Sequence, residues 1–418
     1  MADAASAFFS AFVQQLGREG LRAPQIRRWL WRPFEPAAEA MFGEQRQQTL
    51  THLQAPLPMI EQALAAADGP PVDRDFYRAQ KVALILVPGF THETLRNYSW
   101  HEQIQRRDSP HSIVMLHPAP YGQATVEQHH ASGGALAMAY LHYPRSNGPS
   151  QHIVPALARM LRESASVQAW IDEGRQLFFV GYSYGAALTL ELLAALNSGR
   201  EHAGPVLAAS AGMLSLCGDL GGSYLADDAL RRDAQFVSIP KLRDYCQRHR
   251  WAAKLAGLGT EQLMEDILPG VAALGHEVRQ AELQRVLPDL PARLHYFSVA
   301  AMQQLQDYRR HWWQLNLDDW AMYRQALVTD PITAYNDGQV ALVDNLIPAT
   351  PQIPPQRNQF LGAVRSHHWG VSYRSFNFGR NRFPRAAFNR ALMQVISAQL
   401  RAGSSTIGSR RHGSNRHE

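Results

Sequence analysis

Gln176-Leu-Phe-Phe-Val-Gly181-Tyr182-Ser183-Tyr184-Gly185-Ala186-Ala187 reads as a buried strand running straight into a helix through Gly-x-Ser-x-Gly. A serine on such an elbow is held in a strained backbone conformation, and small residues must flank it so that neighbouring backbone can pass. Gly181 and Gly185 lie two residues either side of Ser183, and Ala187 is again small. The turn presents a hydroxyl at the positive end of a helix, where developing negative charge is stabilised. Many glycine-rich turns contain serine. Here the strand before it (Leu177 to Val180) and the helix after it (Ala186 to Leu196, stopped at Gly199) are both legible, so Ser183 is the candidate nucleophile.

Working outward, a hydrolytic site on such an elbow takes its parts in the order oxyanion loop, nucleophile, acid, base. Upstream, Lys81-Val-Ala-Leu-Ile-Leu-Val-Pro88-Gly89-Phe90 is an apolar, β-branched run ended by Pro-Gly, a strand buried on both faces of a parallel sheet. The loop after it can aim the backbone N–H of Phe90 at the nucleophile, with the N–H of Tyr184 as the second donor. Downstream, Tyr335-Asn336-Asp337-Gly338-Gln339-Val340 follows the candidate strand Arg293 to Val299 after a long excursion. Asp-Gly there suits a carboxylate that must turn sharply towards a histidine, although such triplets are often simple turns. Asp344 and Asp330 are the rival acids. Last, Gln359 to Val364 is a short apolar strand whose loop carries His367 and His368, where an imidazole can reach both hydroxyl and carboxylate. The remaining histidines, including His129-His130, His92 and His101, read as solvated or core residues, and no ligand spacing supports a metal.

On Pro88-Gly89-Phe90, Gly181-Tyr-Ser183-Tyr-Gly185, Asn336-Asp337-Gly338-Gln-Val340 and His368-Trp369, the chain resembles the α/β-hydrolase superfamily, on its lipase and carboxylesterase side. The resemblance spans roughly residues 78 to 400. It implies a doubly wound, mostly parallel sheet, with Ser183 as nucleophile, His368 rather than His367 as general base and then acid, and Asp337 as its orienter. Phe90 and Tyr184 are implied as oxyanion donors, and no cofactor or metal is implied. Pro88 stands where related chains commonly carry a histidine, so the oxyanion loop departs from the pattern. The superfamily also holds thioesterases, acyltransferases and receptors, so fold and triad do not name the substrate.

Around these motifs the chain divides into a helical extension over 1–75, a first core segment over 76–218, a helical cap insertion over 219–290, a second core segment over 291–401 and a disordered basic tail over 402–418. Phe8, Phe12 and Leu16 recur at helical spacing, and 37–67 continues a helix-compatible pattern broken near Pro56 and Pro58. The extension either docks on the core or offers a lipid- or partner-binding face. A helix is expected near 93–106, a strand over 112–117, one helix over 153–171 and a strand over 205–213. In the insertion, helices are expected over 227–233, 239–255, 261–267 and 276–286. Trp312, Trp313, Trp320, Tyr308 and Tyr323 make 301–330 aromatic-rich, either ordinary packing or an apolar acyl-binding wall.

Composition bounds the reading. The chain has 418 residues, 45% apolar and 18% charged, a globular composition with no apolar run near the ~20 residues of a membrane span. The net charge of +5 sits largely in the tail, which holds four arginines and one glutamate from Arg401 onward. No basic face with interleaved aromatics points to nucleic acid. The start lacks a positive region before an apolar run, and Cys217 and Cys246 have no framework spacing. A cytoplasmic setting is therefore expected, with peripheral membrane contact left open and no oligomeric state implied. The reading that results is a serine hydrolase cleaving a carboxylic ester with an apolar acyl or alcohol part through an acyl-enzyme. Its rivals are an acyltransferase or thioesterase using the same intermediate, a ligand-binding or sensing protein on the same fold, and a membrane-associated scaffold acting through the N-terminal helices.

Overall fold

The computed structural model describes residues 3–36, 50–66, 69–90, 113–115, 137–141, 148–249, 251, 268–310, 315–372 and 383–411. Its strands are β1 (Val82–Val87), β2 (Ile113–Met115), β3 (Ala137–Leu141), β4 (Gln176–Tyr182), β5 (Ser210–Leu216), β6 (His295–Ala301) and β7 (Asn358–Val364). They form one sheet in the order β2-β3-β1-β4-β5-β6-β7. Every neighbouring pair is parallel except β2 with β3. The chain enters at β1, fills one side as far as β2, then returns beside β1 with β4 and fills the other side. The carboxyl ends of β1 and β4 therefore flank the point where strand order reverses, the place where an open α/β sheet leaves a crevice.

Both faces of the sheet are buried, which is why its strands read as continuous apolar runs rather than alternating ones. Leu84, Leu86, Phe178, Leu214, Phe297 and Val299 face a layer containing α1 (Ala4–Arg18) and the C-terminal helix Arg385–Arg411. The alternate residues Ala83, Ile85, Leu177, Phe179, Met213 and Tyr296 face α2 (Ser150–Glu163), α3 (Tyr184–Asn197) and the helix His276–Val286. This is the doubly wound arrangement expected from sequence.

The N-terminal extension is part of this body. Asp3 caps α1 by accepting from the Ala5 N–H, and the apolar stripe of α1 lies on the last helix, where Phe12 meets Phe383 and Phe388 at ring separations of 6.0 and 5.7 Å. Leu30 then pairs antiparallel with Val364, and Trp29 accepts from the Arg365 N–H at 3.0 Å. An edge strand with unpaired backbone groups is an aggregation hazard. Here the extension covers part of the β7 edge, immediately before the two histidines.

Several elements differ from expectation. The segment 205–213 is not one strand: Gly204–Ala209 is a short helix with Pro205 in its first turn, and β5 starts at Ser210. Proline at a first helical position loses no hydrogen bond, and the small apolar run after it suits either state. The expected single helix over 153–171 is two, broken at Ser164, which caps the second by accepting from Val167. The last helix continues to Arg411, where the Gly/Ser content suggested disorder from 402. The expected helices near 93–106 and over 261–267, most of the expected strand over 112–117, and Trp312 and Trp313 lie outside the described residues.

The insertion over 219–290 divides in two. Its α4 (Tyr224–Ala229), α5 (Ile239–Arg248) and residues 268–274 share a small apolar cluster with Phe90. Its α6 (His276–Val286) instead sends Leu283 and Val286 into the main core beside α3. Among the described residues no helix is long and apolar enough to cross a membrane.

Candidate active site

Ser183 lies between β4 and α3 with φ 54° and ψ −131°, one of three non-glycine residues at positive φ among those described. That conformation is costly for a residue with a Cβ and persists only where surroundings enforce it. They do so through close approaches. A Cβ on Gly181 would overlap Ala186, and one on Gly185 would overlap the carbonyls of Val87 and Pro88. A Cβ on Gly89 would lie 2.8 Å from Ser183 Cβ, so the loop after β1 lies directly against the elbow. The Ser183 N–H donates to the Leu216 carbonyl at 3.1 Å, tying the elbow to the end of β5.

Phe90 and Tyr184 both sit at this turn, their rings 6.3 Å apart and edge to face. Tyr184 is the first residue of α3, so its N–H has no intrahelical acceptor and is available to a ligand. Phe90 packs against both the main core and the small cluster of the insertion.

The acid and base loops are built with equal constraint. Asn336 accepts from the Gly338 N–H and donates to the Thr333 carbonyl, closing a turn in which Gly338 adopts φ 100°. Asp337 Oδ1 accepts the N–H groups of Gln339 and Val340 at 2.9 and 2.8 Å, which fixes the carboxylate and leaves Oδ2 for a partner. That partner is His368, whose Nδ1 lies 2.6 Å away. The His368 N–H also donates to the Asp337 carbonyl at 2.8 Å. His368 and Asp337 are 1% and 0% exposed, and His368 Nε2 is buried without a hydrogen-bond partner. A carboxylate can only accept, so Nδ1 carries the proton and Nε2 of the neutral ring presents a lone pair. His368 also packs on the residue before the candidate nucleophile: its carbonyl accepts from the Tyr182 hydroxyl at 3.2 Å, and the rings are 5.0 Å apart.

The rivals go elsewhere. His367 accepts the Gly370 N–H on Nδ1 at 3.0 Å, so its Nε2–H donates to Asp319 Oδ1 at 3.0 Å. Asp344 meets His276 Nε2 at 3.3 Å, and Asp330 ends the helix Leu317–Thr329. Cys217 and Cys246 are both free, and burial pushes the Cys217 thiol well above its ordinary value, which makes it a poor nucleophile. Among the described residues no group of three or more His, Cys, Asp or Glu could hold a metal.

Sequence reading missed a second charged cluster beside the elbow. Asp219, just past β5, is 3% exposed and donates its N–H to the Ser183 carbonyl at 3.1 Å. Burial pushes its carboxyl up and the Arg279 charge pulls it back, leaving it at about 7. Arg279 of α6 is 1% exposed, pairs with Glu191 of α3 at 2.7 Å and lies over the Tyr184 ring at 5.8 Å. His276 bridges Asp227 at 2.7 Å and Asp344 at 3.3 Å. The glycine-rich run Cys217-Gly-Asp-Leu-Gly-Gly at a strand's end was a legible signal for Asp219. Nothing in the sequence links His276 to residues 49 positions before and 68 after it.

A cavity of about 290 Å³ is lined by Arg28, Trp29, Asp319, Arg365, His367 and Phe383 among others, and not by Ser183, Phe90 or Tyr184. The aromatic-rich stretch contributes Tyr308 and Tyr323 to a cluster beside Trp369, while Trp320 is exposed.

No family model and no curated protein matches the sequence. Among solved structures the chain is similar to a metagenomic carboxyl esterase, at 18% identity and TM-score 0.46 over 76% of each chain. It is also similar to the mature form of a Bacillus licheniformis lipase, at 15% identity and TM-score 0.41 over 69% of this chain and 86% of that one. A phospholipase from Legionella pneumophila follows at 10% identity and TM-score 0.35, over 64% of this chain and 46% of that one. Likeness this distant carries no argument about activity.

Proposed function

We propose that this chain, which has the α/β-hydrolase fold, is a serine hydrolase that cleaves carboxylic esters through an acyl-enzyme. One observation carries the reading: the buried His368–Asp337 pair, with Nε2 unpartnered, lies at the same carboxyl end of the sheet as a serine held at φ 54°. Buried polar atoms without partners are uncommon, and one on an imidazole packed against Tyr182, the residue before the elbow serine, suits proton transfer during reaction.

In this reading His368 Nε2 takes the Ser183 proton as Oγ attacks the ester carbonyl. The Phe90 and Tyr184 N–H groups hold the tetrahedral oxyanion. Asp337 keeps the ring in the required tautomer and stabilises the imidazolium. His368 then returns its proton to the departing alcohol and activates water against the acyl-enzyme. The insertion serves as a cap, and the apolar cluster around Phe90, with Leu230, Leu242, Leu268 and Leu274 at its margin, favours an apolar acyl or alcohol group.

The test is labelling of the intact protein with an alkyl phosphonate, read by mass spectrometry, together with turnover of esters and thioesters of graded chain length. Labelling at Ser183, lost in Ser183→Ala, is expected. Ser183→Ala and His368→Ala should each lower turnover by on the order of a thousandfold or more. Because neutral His368 is required, the rate should fall towards acid pH, and a flat profile from about pH 5 to about pH 9 counts against the mechanism. A folded protein that binds ligand but never labels would overturn it.

A further inference from the structure

The cavity of about 290 Å³ lies beside the loop that carries His368, yet neither the proposed triad nor the oxyanion donors line it. Distant parts of the chain close it. The extension brings Arg28 and Trp29, the segment after β6 brings Asp307 and Arg310, and the helix Leu317–Thr329 brings Asp319. The chain after β7 adds Arg365, His367, Phe383 and Arg385. Its buried polar members satisfy one another: His367 gives Nε2–H to Asp319 Oδ1 at 3.0 Å, and Asp319 Oδ2 accepts from the Asn316 N–H at 3.0 Å. Stacking and hydrogen bonds hold the arginines in place. The Arg28 guanidinium lies 5.3 Å over the Trp29 ring, and that of Arg365 lies 5.2 Å over Trp31. Arg385 Nε donates to the Gly370 carbonyl at 2.8 Å. Arg365 meets Asp307 side-on, through Nε at 3.2 Å and Nη2 at 2.5 Å, and among the described residues its Nη1 has no partner. The Arg310 guanidinium is exposed and likewise has no partner among the described residues.

Four arginines against two aspartates leave an excess of two positive charges around this space. A concave site lined by one sign of charge concentrates the opposite ion. A phosphate monoester carries a charge of about −1.5 to −2 at neutral pH, which matches the excess, and its oxygens accept well from guanidinium forks. A single carboxylate would neutralise only half of it. The lining is also partly apolar, since Trp29 and Phe383 meet edge to face at 5.9 Å. The volume is close to the ~300 Å³ at which small-molecule sites begin, enough for a phosphate with a small organic group. We infer that the cavity binds a small phosphate monoester. Arg310 and Nη1 of Arg365 hold the phosphate, and Trp29 and Phe383 form the wall for the organic part. The site adjoins the base loop through Arg365, His367 and Gly370, and binding there needs no chemistry at Ser183.

The experiment is titration calorimetry of the full chain at low salt with phenyl phosphate, inorganic phosphate and benzoate as probes. Phenyl phosphate should bind wild type, and Arg310→Gln should weaken it by about tenfold. Arg309→Gln removes the same charge from a neighbouring position that does not line the cavity, so it should change affinity by less than about twofold. Arg28→Gln makes the same prediction as Arg310→Gln and replaces it if that variant does not fold. Inorganic phosphate and benzoate should each bind about tenfold more weakly than phenyl phosphate, the first for want of the aromatic contact and the second for want of charge. Inorganic phosphate binding as tightly would mean a free-phosphate site and overturn the assignment to an ester, and benzoate binding as tightly would overturn the assignment to phosphate. No binding of phenyl phosphate by wild type up to about 10 mM, or equal losses in Arg310→Gln and Arg309→Gln, overturns the site itself. Because the readout is binding, it stands or falls apart from the labelling of Ser183.

Discussion

Two adjacent histidines, His367 and His368, show how much one position decides. The first turns to Asp319 and the second to Asp337, in each case by a single charge-assisted bond of 3.0 or 2.6 Å. Asp337 has no spare geometry, because Oδ1 already accepts two backbone N–H groups. Asp337→Asn is expected to lower kcat about a thousandfold, since the amide cannot both keep those bonds and accept from Nδ1. Asp344→Asn should stay within about tenfold of wild type, because its carboxylate serves His276. Steady-state turnover of a chromogenic ester decides between them, and the reverse ranking would move the acid to Asp344. Ser183 and Asp337 were legible because their demands are local: glycines where backbone passes, and Asn-Asp-Gly where a carboxylate must turn. The choice of His368 needed the resemblance, since both histidines share one loop, and it is the fold that aims each at a different carboxylate.

At the scale of elements, α6 ties the insertion to the segment after Asp337, where His276 bridges Asp227 and Asp344. Burial pulls His276 down, but hydrogen bonds to Asp227 and Asp344 and their charges outweigh it and push the imidazole up to about 9. A folded-state value raised above the ordinary 6.5 means that the charged bridge adds its full stability below that value and loses it as pH rises through about 9. Nearby, the Leu220 and Gly221 N–H groups donate to the Asp344 carbonyl, and Ser223 Oγ donates to the Gln339 carbonyl at 2.7 Å. Loss of the bridge should therefore loosen the segment that carries Asp219. Melting temperature measured from about pH 6 to about pH 10 should fall more steeply in wild type than in His276→Gln. Parallel curves would show that the bridge contributes nothing to folding. This cluster was invisible in sequence because its members come from three separate elements. The helix Gly204–Ala209 was misread for a different reason: a short apolar run carries no period that separates helix from strand.

Across the whole molecule, the first and last helices share one core. Phe12 is fully buried against Phe8, Phe383 and Phe388, so the extension behaves as a layer of the body. Phe12→Ala should cost about 3–5 kcal/mol of global stability without a separate early transition. Urea unfolding followed by fluorescence and by activity tests this: coincident, equally shifted transitions are expected, and an unchanged activity midpoint would show that the extension unfolds on its own. The alternative of an exposed lipid-binding stripe on α1 conflicts with that burial.

Read alone, the sequence determined the doubly wound class, the elbow serine, the Asp337 turn and the order in which they occur. These depend on period, on glycine where backbones touch and on turn chemistry, all properties of a few consecutive residues. The tertiary structure decided which histidine faces Asp337, that the extension covers the β7 edge, and that the insertion divides between a small cluster at Phe90 and the main core. It alone revealed Asp219, Arg279 and His276 as neighbours. A buried charge is defined by what surrounds it, and those surroundings are assembled only when distant parts of the chain fold together.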